Sequence, residues 1–454
     1  MSAALCLPTF LSDLDLQTAT ARLLSIECRE LWRRQRPLIE RYGGRLHLAV
    51  DALLERGVPD SSKVRHWCSV SKEVLRANGQ GCDPEPWATS HLLIDSLAPE
   101  RAFILHTLRL VEALVAAMID DAQLAAPLSL DLGVAAPSGW DLGRSGALLA
   151  GAIGRAPTLR LDATGLTLDE GGPLVEHQTP SGRLLRVDAR YRYAPPVLVS
   201  GPTAMQMPIH DRGLREPYTA STIIVRDPAV AQSWAPVLER ACALARAADP
   251  ALLDASVRYS AEVLPLYKGL GQGYGSASNE AVLGFVYLPA IHTPLDVAEC
   301  LVHEAMHQKL FRIESVVPLF EADSPKGETF YSPWRNDSRP LSMVLHGCYV
   351  FAFVAHIWLR WGELRPPELA STTAAHQTAM RRVTEVLSGL KLLRQYARMT
   401  AMGARVLDEL THTCQELLDR VVIDDTVRAE LNRRLEAHRQ SHLGRSLCSG
   451  PSIF

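Results

Sequence analysis

Residues 302–308 read VHEAMHQ, so His303 and His307 stand four apart with Glu304 between them. On a helix, side chains at that spacing share a face and lie within about 6 Å. Two imidazoles so placed can grip one metal ion, and Glu304, one step round, can reach a metal-bound water or a ligand position. The same letters also describe two hydrogen-bonded histidines on a half-buried helix. A metal site needs a third ligand, which the rest of the chain must supply. The long zinc signature fails, because Leu310 replaces its glycine and Ile313 its last histidine. Glu314 shares the rotational face of His303, but a rise of about 16 Å along the axis sets it too far away for one metal. Glu321, Asp323 and Glu328 fall beyond Pro318, in an expected loop.

The segment HTPLDVAECLVHEAMHQKLFRIESVV must position the motif, and it opens with helix-start signals. Thr293 can cap, Pro294 fits the first helical position, and Asp296 completes a variant capping box. Downstream, in FYSPWRNDSRPLSMVLHGCYVFAFVAHIW, Pro340 can start a helix whose interior is almost wholly apolar. His346 sits in it beside Gly347, which costs a helix about 1 kcal/mol and implies close packing. A helix packed on the motif helix could deliver His346 as the third ligand; a core histidine bonded to a backbone carbonyl is the equal alternative. His356, about 15 Å further along, reads as structural. Arg335 and Arg339 flank Asp337 in WRNDSRP. Two guanidiniums there can bind a carboxylate bidentately, or simply form a surface ion pair with Asp337.

Three stretches together resemble the H-E-x-x-H peptide-modification family, whose members accompany ribosomally made, post-translationally modified peptides. They are the motif helix from His303 through Leu310, the loop from Tyr331 to Leu341, and Leu345-His346-Gly347. The resemblance covers roughly residues 275 to 355 and does not extend to the first 250. It implies an Fe(II)- and α-ketoglutarate-dependent dioxygenase that hydroxylates the β-carbon of a residue in a precursor peptide. His303, His307 and His346 would hold the iron, with Glu304 an alternative third ligand in a distorted arrangement. Arg339, with Arg335 as second choice, would hold the far carboxylate of α-ketoglutarate, and O2 would take the remaining position. Glu304, Arg339 and Arg335 would thus serve catalysis. A zinc metallopeptidase with Glu304 as general base is the alternative, and a non-catalytic peptide-binding protein is a third reading.

The remainder of the chain bounds these readings. Its 454 residues are 47% hydrophobic and 21% charged, as expected of a globular protein with a large core. A net charge of −3 gives no global drive toward nucleic acid or anionic membrane. The N-terminus lacks a basic region and carries Asp13 and Asp15, which argues against a secretory signal. No apolar run approaches the roughly 20 residues of a membrane span. The nine cysteines are dispersed without a C-x-x-C, as in reduced cytoplasmic proteins. Periodicity predicts helices over 16–125, strand texture from about 130 with a small mixed sheet over about 155–290, and a helix at 228–248. ASVRYSAEVLPLY reads as strand, the glycine-rich GLGQGYG as a loop rather than a nucleotide cradle, and 340–440 as long helices before a loosely ordered tail. The expected architecture is therefore α+β and helix-rich. A helical N-terminal region (1–130), with a possible role in recognising a leader peptide, precedes an α+β catalytic region (131–454) with its core motifs at 275–360.

Overall fold

Helices at both ends of the chain flank mixed β-structure in the computed structural model, an α+β, helix-rich architecture as the periodicity predicts. The structure describes residues 13–77, 99–120, 127–133, 139–142, 145, 147–149, 157–199, 206–207, 222–224, 228–268, 275–280, 283–290 and 293–448. GLGQGYG lies almost wholly outside them. The chain divides into two compact units, one of residues 17–239 and 260–291, the other of 1–16, 240–259 and 292–454.

The unit of residues 17–239 and 260–291 begins with helices α1 (Asp13–Tyr42), α2 (Leu46–Arg56), α3 (Ser62–Ala77) and α4 (Pro99–Asp120). Their apolar stripes meet in one core around Ile39, Val50, Trp67, Phe103 and Leu114. Strands β1 (Leu128–Asp131), β4 (Thr158–Asp162), β5 (Gly165–Asp169), β7 (Leu184–Asp188) and β6 (Leu174–Gln178) lie in that order in one sheet. All neighbours are antiparallel except β5 and β7. Leu159, Leu161, Leu166, Leu168, Leu185 and Val187 alternate into the same core. Gly165, with φ 153°, permits the turn into β5: a Cβ there would lie 1.9 Å from the Leu184 carbonyl oxygen.

A second sheet orders β13 (Ala277–Ser278), β14 (Phe285–Pro289), β12 (Glu262–Lys268), β10 (Gln206–Met207) and β9 (Val197–Leu198), with β11 (Thr222–Ile224) also on β12. β14 is buried at every residue and parallel to β12, so it reads as a continuous apolar run. A third, three-stranded sheet joins β2 (Gly139–Asp141), β3 (Ala147–Leu149) and β8 (Arg192–Ala194).

The other unit is helical in its described residues. It takes the second half of α5 (Pro228–Ala248), then α6 (Pro250–Tyr259), α7 (Pro294–Val316), α8 (Leu341–Leu364), α9 (Thr372–Tyr396), α10 (Ala401–Arg420) and α11 (Asp425–Cys448). Of the strand expected across ASVRYSAEVLPLY, EVLPLY falls in β12, while ASVRY is the end of α6, whose start Asp249 caps by accepting from the Leu252 N–H at 3.0 Å. The tail is helical through Cys448. α8 is long and apolar enough to cross a membrane by length and composition, which the sequence reading did not register. Its most apolar window is 72% buried inside the fold, where α8 packs against α7 and α9 as the core helix.

Candidate functional site

α7 starts where its local chemistry dictates. Thr293 caps, Pro294 occupies the first turn, and Asp296 closes the box: its N–H donates to Thr293 Oγ1 while its carboxylate accepts from the Thr293 N–H. From that fixed start His303, His307, Phe311 and Glu314 form one stripe at spacings of four, four and three. α8 carries His346 and Phe351 against this stripe. The His303 ring meets Phe351 edge-on at 4.9 Å, the His307 ring stacks on His346 at 5.2 Å, and Phe311 lies 4.4 Å from His346. The pairing order shows that the two helices run in opposite directions.

The polar atoms form a chain. His307 Nδ1 and His346 Nδ1 are 2.9 Å apart, and His346 Nε2 is 2.9 Å from Glu314 Oε2. An ionised carboxylate can only accept, which places the His346 proton on Nε2. With that single proton on Nε2, the His346 lone pair is at Nδ1 and accepts from His307 Nδ1–H, which leaves the free lone pair of His307 on Nε2. His346 is buried, whereas His307, Phe311 and Phe351 are half-buried and the Glu314 side chain is 26% exposed.

Both motif histidines are held neutral. Burial, reinforced by the Arg382 guanidinium, pushes His303 down to about 3, although 21% of its side chain meets solvent. Burial, with His303 and His346 adding to it, holds His307 well below the usual imidazole range. Arg382 lies 4.1 Å over the Phe351 ring, and ion pairs to Glu385 at 3.0 Å and Glu299 at 3.6 Å fix it there. Trp334 stacks on the same Phe351, centroids 5.3 Å apart. Gly347 explains itself at this point: a Cβ would meet Trp334 Cζ3 at 2.6 Å, so only glycine lets the indole lie against α8.

The structure thus brings His303, His307 and His346 together, but not as metal ligands. Both ring nitrogens of His346 are engaged, one by His307 and one by Glu314, so His346 is not presented to a point shared with His303 and His307. Glu304 is 3% exposed, with its Oε1 4.0 Å from His303 Nε2. Among the described residues, no group of three or more His, Cys, Asp or Glu side chains is arranged to hold a metal ion. The donor set does not fit Fe(II), with His346 or Glu304 as third ligand, and it does not fit a peptidase zinc. This corrects the expectations of an iron, α-ketoglutarate and O2 dioxygenase, of β-hydroxylation, and of a zinc metallopeptidase using Glu304 as base.

Arg339 Nη2 bonds Asp337 at 2.8 Å and Arg335 Nε lies 3.5 Å from the same carboxylate, so the arginine pair is the surface ion-pair arrangement. A keto-acid clamp on these two loses its basis with the metal. The resemblance to the H-E-x-x-H peptide-modification family is likewise local to the letters of the motifs. The described strands form open sheets and helices dominate, with no metal-binding cluster or barrel sheet to match that family.

The sequence reading set Glu314 aside and did not use Phe311, Trp334, Phe351 or Arg382. The four-residue spacing of His303, His307 and Phe311 could have found Phe311; Trp334, Phe351 and Arg382 come from other elements, which spacing within one helix does not reveal. No protein-family model matches this chain, and no curated protein matches it significantly.

Proposed function

We propose that the α7–α8 face is a metal-independent acid–base site that acts on a bound peptide, with His307 as the general base. The observation that carries this reading is the hydrogen-bonded chain from half-buried His307 through buried His346 to partly exposed Glu314. A proton taken from a water or hydroxyl by His307 Nε2 is matched by transfer of the His307 Nδ1 proton to His346 Nδ1. The His346 Nε2 proton then passes to Glu314, which meets solvent. His307 is itself a weak base, and the coupled carboxylate offsets that weakness. Phe311, Phe351 and Trp334 supply apolar surface beside the base, suited to a peptide side chain. A cytoplasmic setting belongs to the same proposal, supported by the dispersed cysteines, of which Cys28, Cys68, Cys242, Cys300, Cys348 and Cys414 are buried.

Hydrolysis of 4-nitrophenyl acetate tests the base, because an activated ester needs only a deprotonated nucleophile. His307→Gln is expected to lower the protein-dependent rate roughly 100-fold, the scale of a lost general base. Glu314→Gln is expected to lower it less and to shift its pH profile. A His307→Gln protein that keeps the wild-type rate overturns the assignment.

A further inference from the structure

A cavity of about 270 Å3 opens between α9 and α11, beside Pro333. Its lining is apolar at Pro333, Leu431 and Leu435 and charged at Arg381, Arg434 and Glu385. These charges are not equivalent. Glu385 is buried and bonds Arg382 at 3.0 Å, and Arg434 bonds Glu430 at 2.7 Å. Arg381 is exposed and has no hydrogen-bond or ion-pair partner among the described residues. The Thr384 hydroxyl donates to the Met380 carbonyl at 2.8 Å, so toward the cavity its oxygen can only accept. His438 is held in place through Nδ1, 3.0 Å from the Tyr331 hydroxyl.

We propose that this cavity binds a carboxylate that carries an adjacent apolar side chain and an amide N–H. Arg381 takes the carboxylate in its two-pronged donor geometry. Leu431, Leu435 and Pro333 cover the apolar group, and Thr384 accepts the N–H. The volume falls just below the range of about 300–1,000 Å3 typical of drug-sized ligands, which suits one amino-acid residue. Two sources share this chemistry: a free N-acylated amino acid and the C-terminal residue of a peptide. The pocket stands on its own residues and does not depend on the acid–base reading of α7 and α8.

Calorimetric titration of the full chain with N-acetyl-leucine is expected to show saturable binding. N-acetyl-leucinamide, which lacks the carboxylate, is expected to bind at least tenfold more weakly. Arg381→Gln, a change at an exposed side chain, is expected to weaken N-acetyl-leucine at least tenfold with an unchanged melting temperature. A pentapeptide ending in leucine that binds tenfold tighter than N-acetyl-leucine identifies a chain end as the source; equal affinity identifies the free acid. Equal binding of acid and amide, no effect of Arg381→Gln, or inorganic phosphate competing as well as the acid overturns the proposal.

Discussion

Gly347→Ala isolates one close contact on which the site's geometry depends. In a free helix the change would stabilise by about 1 kcal/mol, since glycine is the poorer helix former. Here the added methyl would lie 2.6 Å from Trp334 Cζ3 and 2.7 Å from Cε3, so the indole must retreat by roughly 1 Å to reach ordinary van der Waals contact. Its retreat is closed off. A Cβ on Gly389 would already approach Trp334 Cη2 to 3.0 Å, and Phe351 stacks on the indole. Overpacking of this kind costs about 1–3 kcal/mol, which outweighs the propensity gain in most of that range. The expected net loss is about 1 kcal/mol, or a fall in melting temperature of about 2–4 °C for a unit of this size. Urea denaturation followed by tryptophan fluorescence measures it. Trp334→Phe removes the ring carbons that clash, so the double variant should lose less than the two single losses added together. A Gly347→Ala protein as stable as wild type, or more so, would refute the packing argument.

Three further outcomes follow from named contacts. His303 sits near 3 in the folded chain against an ordinary value near 6.5, so between those limits the unfolded chain binds more protons and stability falls as pH falls. His303→Gln should flatten the stability–pH curve across that window, by up to about 1.4 kcal/mol per pH unit, as read by urea midpoints at stepped pH. Glu299 accepts from Trp358 Nε1 at 2.7 Å and pairs with Arg382; Glu299→Ala should cost about 1–3 kcal/mol by denaturation, since it removes the acceptor of Trp358 Nε1 and leaves Arg382 to Glu385. Thr293→Ala, which removes the cap of α7, should cost about 1 kcal/mol, and an unchanged midpoint would show that the capping box contributes nothing.

Local chemistry was the legible part. The start of α7 was written in Thr293, Pro294 and Asp296, because a cap is satisfied within one turn. The burial of α8 and the close packing at Gly347 followed from an apolar run broken by a glycine, although the indole that demands the glycine comes from a loop thirteen positions upstream. The sequence left His346 open between a metal ligand and a core histidine on a backbone carbonyl, and its partners are instead His307 and Glu314. Glu314 was set aside because its distance was measured along its own helix to an ion at His303. The partner it finds is on α8, and spacing within one helix carries no information about that. The strand expected at ASVRY failed for the reverse reason: Val257 and Tyr259 suggested extended chain, while Asp249-Pro250 just upstream is a helix start. The arginines were ambiguous in the sequence, since Asp337 between them suits both an ion pair and a ligand clamp.

In the proposed site Glu314 and His346 fix His307 as a neutral imidazole protonated on Nδ1, with its lone pair on Nε2. The direct measurement is the imidazole nitrogen spectrum of 15N-histidine-labelled protein between pH 5 and 8, with His307 assigned through His307→Gln. The chain of hydrogen bonds predicts a His307 signal of the Nδ1–H tautomer that does not titrate across this range, and a change of that tautomer population in Glu314→Gln. A His307 that is protonated on Nε2, or that titrates near 6.5, would contradict it.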